Sequence, residues 1–508
     1  MTRPKSPFEE LVGHAGVLLG SVARTLGRRV ADAADPDRAL ERSVNALVEI
    51  AAARYPLDPG ASWQPGAPLR LLLAGRAGAD DLGADLRLDE AARLLRHLLG
   101  DDLELTTLTL DPQRSRGQLR GVRQLALSGL APRDLMAAVH GVHGVIACDD
   151  ATAGSREALA RAALTIGALG FADAEHKLAA TLGTEFGHLP PTLGALLQRR
   201  GGRACLLVRD PASIDRLSPL ELPAEPGTVT GWAFEPAADA VGRHLLREAG
   251  WDGDAPVVLV CPAAMARPAA PTDLVGAIER ALLGDLGGRA PGVAADPPAT
   301  AALALREATS LRATAEALER LALRRGVFVA LVALTPADRA PCEAVAAHLA
   351  RRPPVFASAE LDLGAAVSLL RQASVLVAGR EGALVATMPA LVPSVGLVGE
   401  PRVRALMAER GQPELALEAG DPLLADHLHT TLERLLDDPA PTADAIADAV
   451  VAQLGLLGHM GQLLVEHVRA RHPERPLRPE LGLHGTPWDH LPPLSGAVMR
   501  LFEERIRA

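Results

Sequence analysis

The chain is 508 residues long, which is enough for roughly two to four domains of ordinary size. Hydrophobic residues make up 48% and charged residues 22%, a composition that excludes collagen, a long coiled coil and extended disorder. The formal net charge of −10 argues against a general binder of nucleic acid or of membrane surfaces.

The first 60 residues predict a helical extension. Apolar residues recur at spacings of three and four between Phe8 and Arg54, which is the period of an amphipathic helix. Asp35-Pro36-Asp37 interrupts this pattern and so predicts two helices. A connector rich in Pro and Gly follows at residues 56–68.

From residue 69 onward, short apolar runs alternate with helical patterns. The runs predict strands at residues 69–74, 103–110, 144–148, 177–182 and 204–208, with helices at residues 86–99 and 156–169. Strands that alternate with helices of this length are typical of βαβ units in a parallel sheet. We therefore expect an α/β, Rossmann-like domain over residues 65–225.

A Pro-rich stretch at residues 217–236 separates this series from a second one. The second series predicts strands at residues 257–261, 327–334, 355–357, 375–378 and 394–397, and helices at residues 361–372, 382–388 and 403–410. We expect a second Rossmann-like domain over residues 237–440, facing the first across a cleft, and a helical tail over residues 441–508. Residues 269–300, rich in Pro, Gly and Ala, are predicted to be a flexible insertion.

The cysteines and the apolar runs indicate the cellular compartment in which the protein is expected. Four cysteines lie far apart without a CxxC pair, which indicates a reducing compartment. The first ten residues are too charged for a signal peptide, and the apolar run at residues 327–334 falls well short of the roughly 20 residues that a membrane helix needs. We expect a cytoplasmic protein without a transmembrane segment. Its sequence contains no dinucleotide fingerprint, P-loop or three-ligand metal pattern, so neither a cofactor nor a metal is expected.

Two acidic loops follow predicted strands of the first series, where ligands of parallel sheets bind. Residues 75–85 are mostly Gly, Ala and Asp, so backbone N–H groups could approach a ligand closely. The alternative is a tight turn whose aspartates cap the next helix. Asp149 and Asp150 follow the third predicted strand, and they could bind a metal, act as acid and base, or cap a helix.

Two arginines follow the last two predicted strands of the second series. We expect Arg380 and Arg402 at the same edge of the sheet, facing the cleft. A pair of guanidinium groups at helix N-termini suits a phosphate or a carboxylate. The alternative is that they form surface ion pairs, Arg380 with Glu381 and Arg402 with Glu400 or Glu409.

Several stretches of the chain, in order, resemble the polysaccharide pyruvyl transferase family. They are the loop with Gly78, Asp81, Gly83 and Asp85, the strand end Leu207-Val208-Arg209-Asp210-Pro211-Ala212-Ser213, the core run from Leu369 to Gly396, and Trp488-Asp489-His490-Leu491-Pro492-Pro493 in the tail. The resemblance covers about residues 69–436. It implies two Rossmann-like domains arranged as in GT-B glycosyltransferases.

The resemblance also implies a reaction, the transfer of pyruvate from phosphoenolpyruvate onto a glycan hydroxyl to form a ketal. Cations must then hold the donor's phosphate and carboxylate, and an acid must protonate the enol carbon. Arg380 matches the Arg of the family pattern, and Gly78 and Gly83 match its first loop, so these residues would bind the donor. If the chain is an active transferase, Arg402 would bind the donor too, and Glu381 would substitute for the family's catalytic acid. The implied partners are phosphoenolpyruvate, a glycan acceptor, and a second copy of the chain or a paralogue.

The sequence departs from the family pattern at four places. Gly382 stands where the family has a His, Asp81 replaces an Asn, Asp149-Asp150 replaces small residues, and residues 228–231 lack an Asp. Two hypotheses stay open. The chain is either an active pyruvyl transferase with a carboxylic acid in place of the histidine, or a catalytically inactive paralogue that acts as a glycan-binding or partner subunit in polysaccharide biosynthesis.

Overall fold

The computed structural model describes residues 36–109, 111–115, 119–127, 131–152, 156–265, 297–476 and 486–506. Within these residues the chain forms two parallel β-sheets with helices on both faces, as the alternation of strand and helix patterns predicts. The first predicted helix, before Pro36, and most of the predicted insertion lie outside the described residues.

The first sheet has seven strands in the order β3-β2-β1-β4-β5-β6-β7, each parallel to its neighbours. Its strands are β1 (Leu69–Ala77), β2 (Leu103–Thr109), β3 (Val122–Ala126), β4 (Gly144–Ala147), β5 (Leu178–Thr184), β6 (Cys205–Val208) and β7 (Ala224–Pro226). The helices that accompany it are α1 (Pro36–Arg54), α2 (Leu82–Leu99), α3 (Ala131–His140), α4 (Arg156–Ala174), α5 (Pro191–Arg200) and α6 (Pro211–Leu217).

The second sheet has six strands in the order β10-β9-β8-β11-β12-β13, again all parallel. Its strands are β8 (Val257–Cys261), β9 (Phe328–Ala333), β10 (Val355–Ala357), β11 (Val375–Ala378), β12 (Ser394–Val398) and β13 (Ala416–Glu418). Its helices are α7 (Asp239–Glu248), α8 (Pro297–Arg325), α9 (Arg339–Ala347), α10 (Leu363–Leu370), α11 (Glu381–Thr387), α12 (Pro401–Glu409) and α13 (Leu424–Asp437).

Burial on both faces explains the continuous apolar runs of the central strands. In β8, Leu259 belongs to one buried cluster, whereas Val258 and Val260 belong to another on the opposite face. A strand covered on both sides needs an apolar residue at every position, so it shows no alternation with polar residues. The same pattern holds in β1, where Leu71 and Leu72 enter different clusters.

Several boundaries differ from the sequence-based predictions. Strand β1 continues to Ala77 and α2 begins at Leu82, so only residues 78–81 form the loop that was predicted over 75–85. The edge strands β3, β7 and β13 were not predicted, because they are short and half exposed and so lack a continuous apolar run. Strand β7 lies inside the Pro-rich stretch that was predicted as a crossing between the domains.

The C-terminal helices α14 (Ala440–Arg471) and α15 (Gly496–Ile506) complete the described chain. By length and composition alone α14 could cross a membrane. Its residues Leu454, Leu457 and Leu464 are nevertheless fully buried in the largest cluster of the protein. Helix α14 contacts strands β5 and β6 of the first sheet and the turn at residues 388–390 of the second. It is therefore a core helix of this fold that joins the two halves.

Candidate functional site

The carboxyl ends of the two sheets face each other, and the loops that follow β1 and β11 touch. The backbone N–H of Leu82 donates to the carbonyl of Leu334 in the other half, at 3.1 Å. The backbones of Gly83 and Gly382 are so close that a Cβ on Gly382 would lie 2.9 Å from the Cα of Gly83. The cleft is therefore closed at this point, with the N-termini of α2 and α11 side by side.

Arg380 and Arg402 follow the neighbouring strands β11 and β12, at the same edge of the second sheet, as predicted. Arg380 is 8% exposed. Its Nε and Nη2 each donate to Asp338 at 2.6 Å, and its Nη1 donates to Glu400 at 2.6 Å. Carboxylates of the protein thus occupy two edges of this guanidinium group. Glu381, the partner of Arg380 in the ion-pair alternative, is not one of them.

Asp338 was missed by the sequence analysis. Its side chain is completely buried, and it accepts hydrogen bonds from the backbone N–H of Ala264 at 3.0 Å and from Oγ1 of Thr335 at 2.8 Å. Thr335 and Asp338 form a capping box directly after β9, a pattern of Thr followed three residues later by an acid that is visible in the sequence. The pattern indicates a helix start, but it does not show that Arg380 is the partner of the acid.

Arg402 reaches across the cleft into the first domain. Its Nε and Nη2 donate to one oxygen of Glu185 at 2.7 and 2.6 Å, and Nη2 also lies 3.0 Å from Asp210. The alternative in which Arg402 pairs at the surface with Glu400 or Glu409 is therefore wrong. Charge-assisted contacts of this kind, partly shielded from water, hold the two domains together.

Arg209 lies at the centre of the interface, with only 4% of its side chain exposed. It contacts Asp150 at 3.0 Å and Glu185 at 2.9 Å in its own domain, and Glu381 of the other domain at 3.2 Å. Burial alone would lower the pKa of Arg209, but these three carboxylates raise it above its ordinary value. Glu381, the predicted acid, therefore accepts a hydrogen bond from a permanently charged guanidinium group.

The aspartates at the carboxyl edge of the first sheet also pair with arginines of the protein. Asp81 caps α2 by accepting from the backbone N–H of Ala84 at 3.2 Å, as the capping alternative predicts. Arg76 lies between Asp81 at 3.0 Å and Asp149 at 3.2 Å. Burial alone would raise the pKa of Asp150, but the nearby guanidinium groups, that of Arg209 first, lower it well below its usual range. The described part of the chain holds no group of three or more His, Cys, Asp or Glu residues placed to bind a metal ion.

The remaining predicted residues have local roles in the fold. Gly78 has a φ of +71°, and a Cβ there would lie 2.5 Å from the carbonyl oxygen of Asp111, so the turn requires glycine. In the segment similar to the family's strand end, Asp210 caps α6. Ser213 accepts a hydrogen bond from the backbone N–H of Phe186 at 2.9 Å and so ties the ends of β5 and β6 together.

The arginines and carboxylates of the cleft pair with one another. Among the residues that the structure describes, five arginines contact eight carboxylates: Arg76, Arg87, Arg209, Arg380 and Arg402 on one side, and Asp81, Asp149, Asp150, Glu185, Asp210, Asp338, Glu381 and Glu400 on the other. Each of these arginines therefore already has an anionic partner.

Two parallel doubly wound domains whose carboxyl edges face each other, linked by a C-terminal helix that crosses back, define the GT-B fold. Neither a protein family model nor a curated protein sequence matches the chain.

Among solved structures, the UDP-GlcNAc 2-epimerase of Neisseria meningitidis bound to UDP-GlcNAc is similar, with a TM-score of 0.46 and 9% identity over 78% of this chain and 100% of that one. The UDP-GlcNAc 2-epimerase of Methanocaldococcus jannaschii gives a TM-score of 0.47 and 10% identity over 73% of this chain and 93% of that one. The spinosyn rhamnosyltransferase SpnG gives a TM-score of 0.40 and 12% identity over 78% of this chain and 99% of that one. These similarities are weak, so the fold assignment rests on the strand order.

Proposed function

We propose that the chain is a catalytically inactive relative of the polysaccharide pyruvyl transferases that acts as a glycan-binding or partner subunit in polysaccharide biosynthesis. The observation that supports this proposal is the engagement of Arg380 and Arg402. Both arginines that would bind the donor in an active transferase are bound by carboxylates of the protein, at 2.6–3.0 Å.

An anionic donor would have to compete with these carboxylates. Phosphoenolpyruvate carries a phosphate and a carboxylate, and it could bind Nε and Nη2 of Arg402 only by displacing Glu185 and Asp210. The displaced carboxylates would then face the donor, and two like charges 4 Å apart repel by about 4 kcal/mol at an effective dielectric constant of 20.

The catalytic acid is a second difficulty for pyruvyl transfer. A general acid must donate a proton, whereas Glu381 accepts a hydrogen bond from Arg209 at 3.2 Å. A histidine could not take the place of Gly382 in this structure, because its Cβ would meet the backbone of Gly83. The geometry therefore favours the inactive paralogue over an active transferase.

A donor assay tests the proposal. The purified protein is incubated with phosphoenolpyruvate labelled in the pyruvyl group and with a panel of bacterial glycans, and both phosphate release and label on the glycan are measured. We expect neither above the rate in buffer. An Arg380→Gln variant serves as the background control. Phosphate release with ketal formation that is lost in Arg380→Gln would overturn the proposal.

A further inference from the structure

A cavity of about 550 Å³ lies at the edge of the first sheet opposite the cleft. Its lining includes Tyr55 and Trp63 from the segment that follows α1, His143 and Lys177 just before β4 and β5, and His472 at the end of α14. Small-molecule sites in proteins occupy about 300–1,000 Å³. The family resemblance and the cleft assign no role to any of these five residues.

The cavity brings together aromatic rings in a chain that has few of them. Aromatic residues make up 2% of the sequence, and Tyr55 is its single tyrosine. The indole N–H of Trp63 is already used, because it donates to the carbonyl of Ala67 at 2.8 Å. What Trp63 can offer a ligand is therefore the apolar surface of its ring, which lies 5.2 Å from the ring of His472.

Two charged groups of the lining, Lys177 and Glu175, are already paired. Lys177 donates to the carbonyls of Val139 and His140 at 2.6 and 2.8 Å, and its Nζ lies 2.9 Å from Glu175. An ammonium group has three protons to donate, so Lys177 has none left for a ligand. The lining also contains Arg471 and Glu474, which are exposed and opposite in charge. The two cations and two carboxylates of the lining balance, so its charge does not favour an anion.

The histidines differ in what they can offer a ligand. Both ring nitrogens of His143 contact Arg70, whose backbone N–H donates to Nδ1 at 3.0 Å and whose Nη2 lies 3.1 Å from Nε2. Burial, followed by the nearby arginines, lowers the pKa of His143 and of His472 to about 4, so both imidazoles are uncharged at pH 7. The Nε2 of His472 is buried and has no hydrogen-bond partner among the residues that the structure describes. A buried polar atom without a partner is destabilising, and a bound ligand could supply the missing hydrogen bond.

We propose that this cavity binds an uncharged pyranose residue of a glycan, with the C–H face of the sugar on Trp63 and a hydroxyl on Nε2 of His472. A sugar ring has one apolar face and a rim of hydroxyls that both donate and accept, so a hydroxyl can pair with this nitrogen whether or not it carries the proton. An aromatic ring provides the matching flat apolar surface. The choice of a glycan rests on the proposed function, whereas the location of the site does not involve the cleft.

Saturation-transfer difference NMR on the full chain tests this site. The probes are methyl α-D-glucopyranoside, methyl α-D-galactopyranoside and methyl α-D-mannopyranoside, with sodium glucuronate and UMP at the same concentration as charged comparisons. We expect transfer to the ring protons of at least one neutral glycoside, and its loss in Trp63→Ala.

Trp251→Ala is the matched control. Trp251 also lies half-buried in a loop and donates from Nε1 to the carbonyl four residues later, that of Ala255, at 2.8 Å. It belongs to the second domain, so its removal should leave the saturation transfer unchanged. Ser62→Trp provides a second variant that does not depend on removing a packed side chain, because Ser62 is exposed at the rim of the cavity. We expect the added ring to abolish the transfer as well.

The assignment is overturned if no glycoside shows transfer, if UMP or glucuronate alone does, or if transfer persists in both Trp63→Ala and Ser62→Trp. These outcomes are distinct from failure of the proposed function. Pyruvyl transfer in the donor assay would overturn the inactive cleft without affecting the cavity, and absence of saturation transfer would leave the inactive cleft standing.

Discussion

Gly382 and Gly83, from opposite domains, are in backbone contact. A Cβ at Gly382 would lie 2.9 Å from the Cα and 3.2 Å from the nitrogen of Gly83. The pyruvyl transferase pattern has a histidine at this position. In this chain two helix N-termini approach each other closely there, and a side chain would prevent that approach. Gly382 does not have a positive φ, so the constraint is one of space rather than of backbone conformation.

The Gly382→Ala substitution should destabilise the closed protein. The added methyl group meets backbone atoms that cannot rotate away, and overpacking of this kind typically removes about 1–3 kcal/mol of the free energy of unfolding. Gly194→Ala is the control, because Gly194 lies in α5 and a Cβ there meets no atom within 4 Å. Urea unfolding should show a loss for Gly382→Ala and no loss for Gly194→Ala. Equal stabilities would contradict the close contact.

Arg402→Gln should weaken the link between the domains. The guanidinium group of Arg402 bridges to Glu185 and Asp210 of the first domain, and its loss leaves Asp210 without this cation and Glu185 with Arg209 alone, at about 1–3 kcal/mol. Arg404→Gln is the matched control. Arg404 lies two residues further along the chain and pairs at the surface with Glu418 of its own domain. Small-angle scattering and thermal unfolding should show an expanded, less stable protein for Arg402→Gln alone. An unchanged radius of gyration would argue against closure by this contact.

Glu185→Gln should create affinity for anions. Glu185 contacts both Arg209 and Arg402, so removing its charge leaves two guanidinium groups with fewer anionic partners. We expect phosphoenolpyruvate to bind the variant about tenfold or more tightly than the natural protein in calorimetric titrations, which corresponds to about 1.4 kcal/mol. Glu418→Gln, which removes a surface carboxylate of the second domain, should not change the affinity. Tight binding by the natural protein itself would contradict the occupation of these arginines by carboxylates of the protein.

His143 should make the protein sensitive to acid. Burial first, and then the charge of Arg70, lower the pKa of His143 to about 4 from an ordinary value near 6.5. The unfolded chain therefore binds more protons between these values, and stability rises with pH across this window and is lost as the pH falls from 6.5 towards 4. The loss between pH 6.5 and pH 5 should be about 1.5 kcal/mol for this group, because the unfolded histidine is only half protonated at pH 6.5.

The comparison for this prediction is between His143→Asn and His244→Asn. Removing the imidazole of His143 should flatten the dependence of unfolding free energy on pH in this window. The side chain of His244 is 69% exposed on α7, so its replacement should leave the slope as it is. A slope that is unaffected by His143→Asn would show that other groups cause the acid sensitivity.

Most central strands could be predicted from the sequence to within two residues, whereas β1 ends three residues later than predicted. Strands β8 and β11 and the edge strand β10 begin and end where they were predicted, because each is a run of apolar residues, buried or half-buried, bounded by polar or small ones. The edge strand β13 could not be predicted in this way, since all three of its residues are only partly buried. The start of α2 was placed four residues too late, because its first turn carries Gly83 and Asp85 and resembles a loop in composition.

For the candidate site, the sequence determined which residues stand at the strand ends, and the tertiary structure decided what they bind. Strand periodicity and chain order place Arg380 and Arg402 on neighbouring strands, because these are local properties of a parallel sheet. Their partners Asp338 and Glu185 lie 42 and 217 positions away, and the second is in the other domain. No local pattern predicts such pairings, since the first depends on the order of strands within one sheet and the second on how two separate sheets meet. As a result, the arginines that were predicted to bind an external anion are instead paired with carboxylates of the same chain.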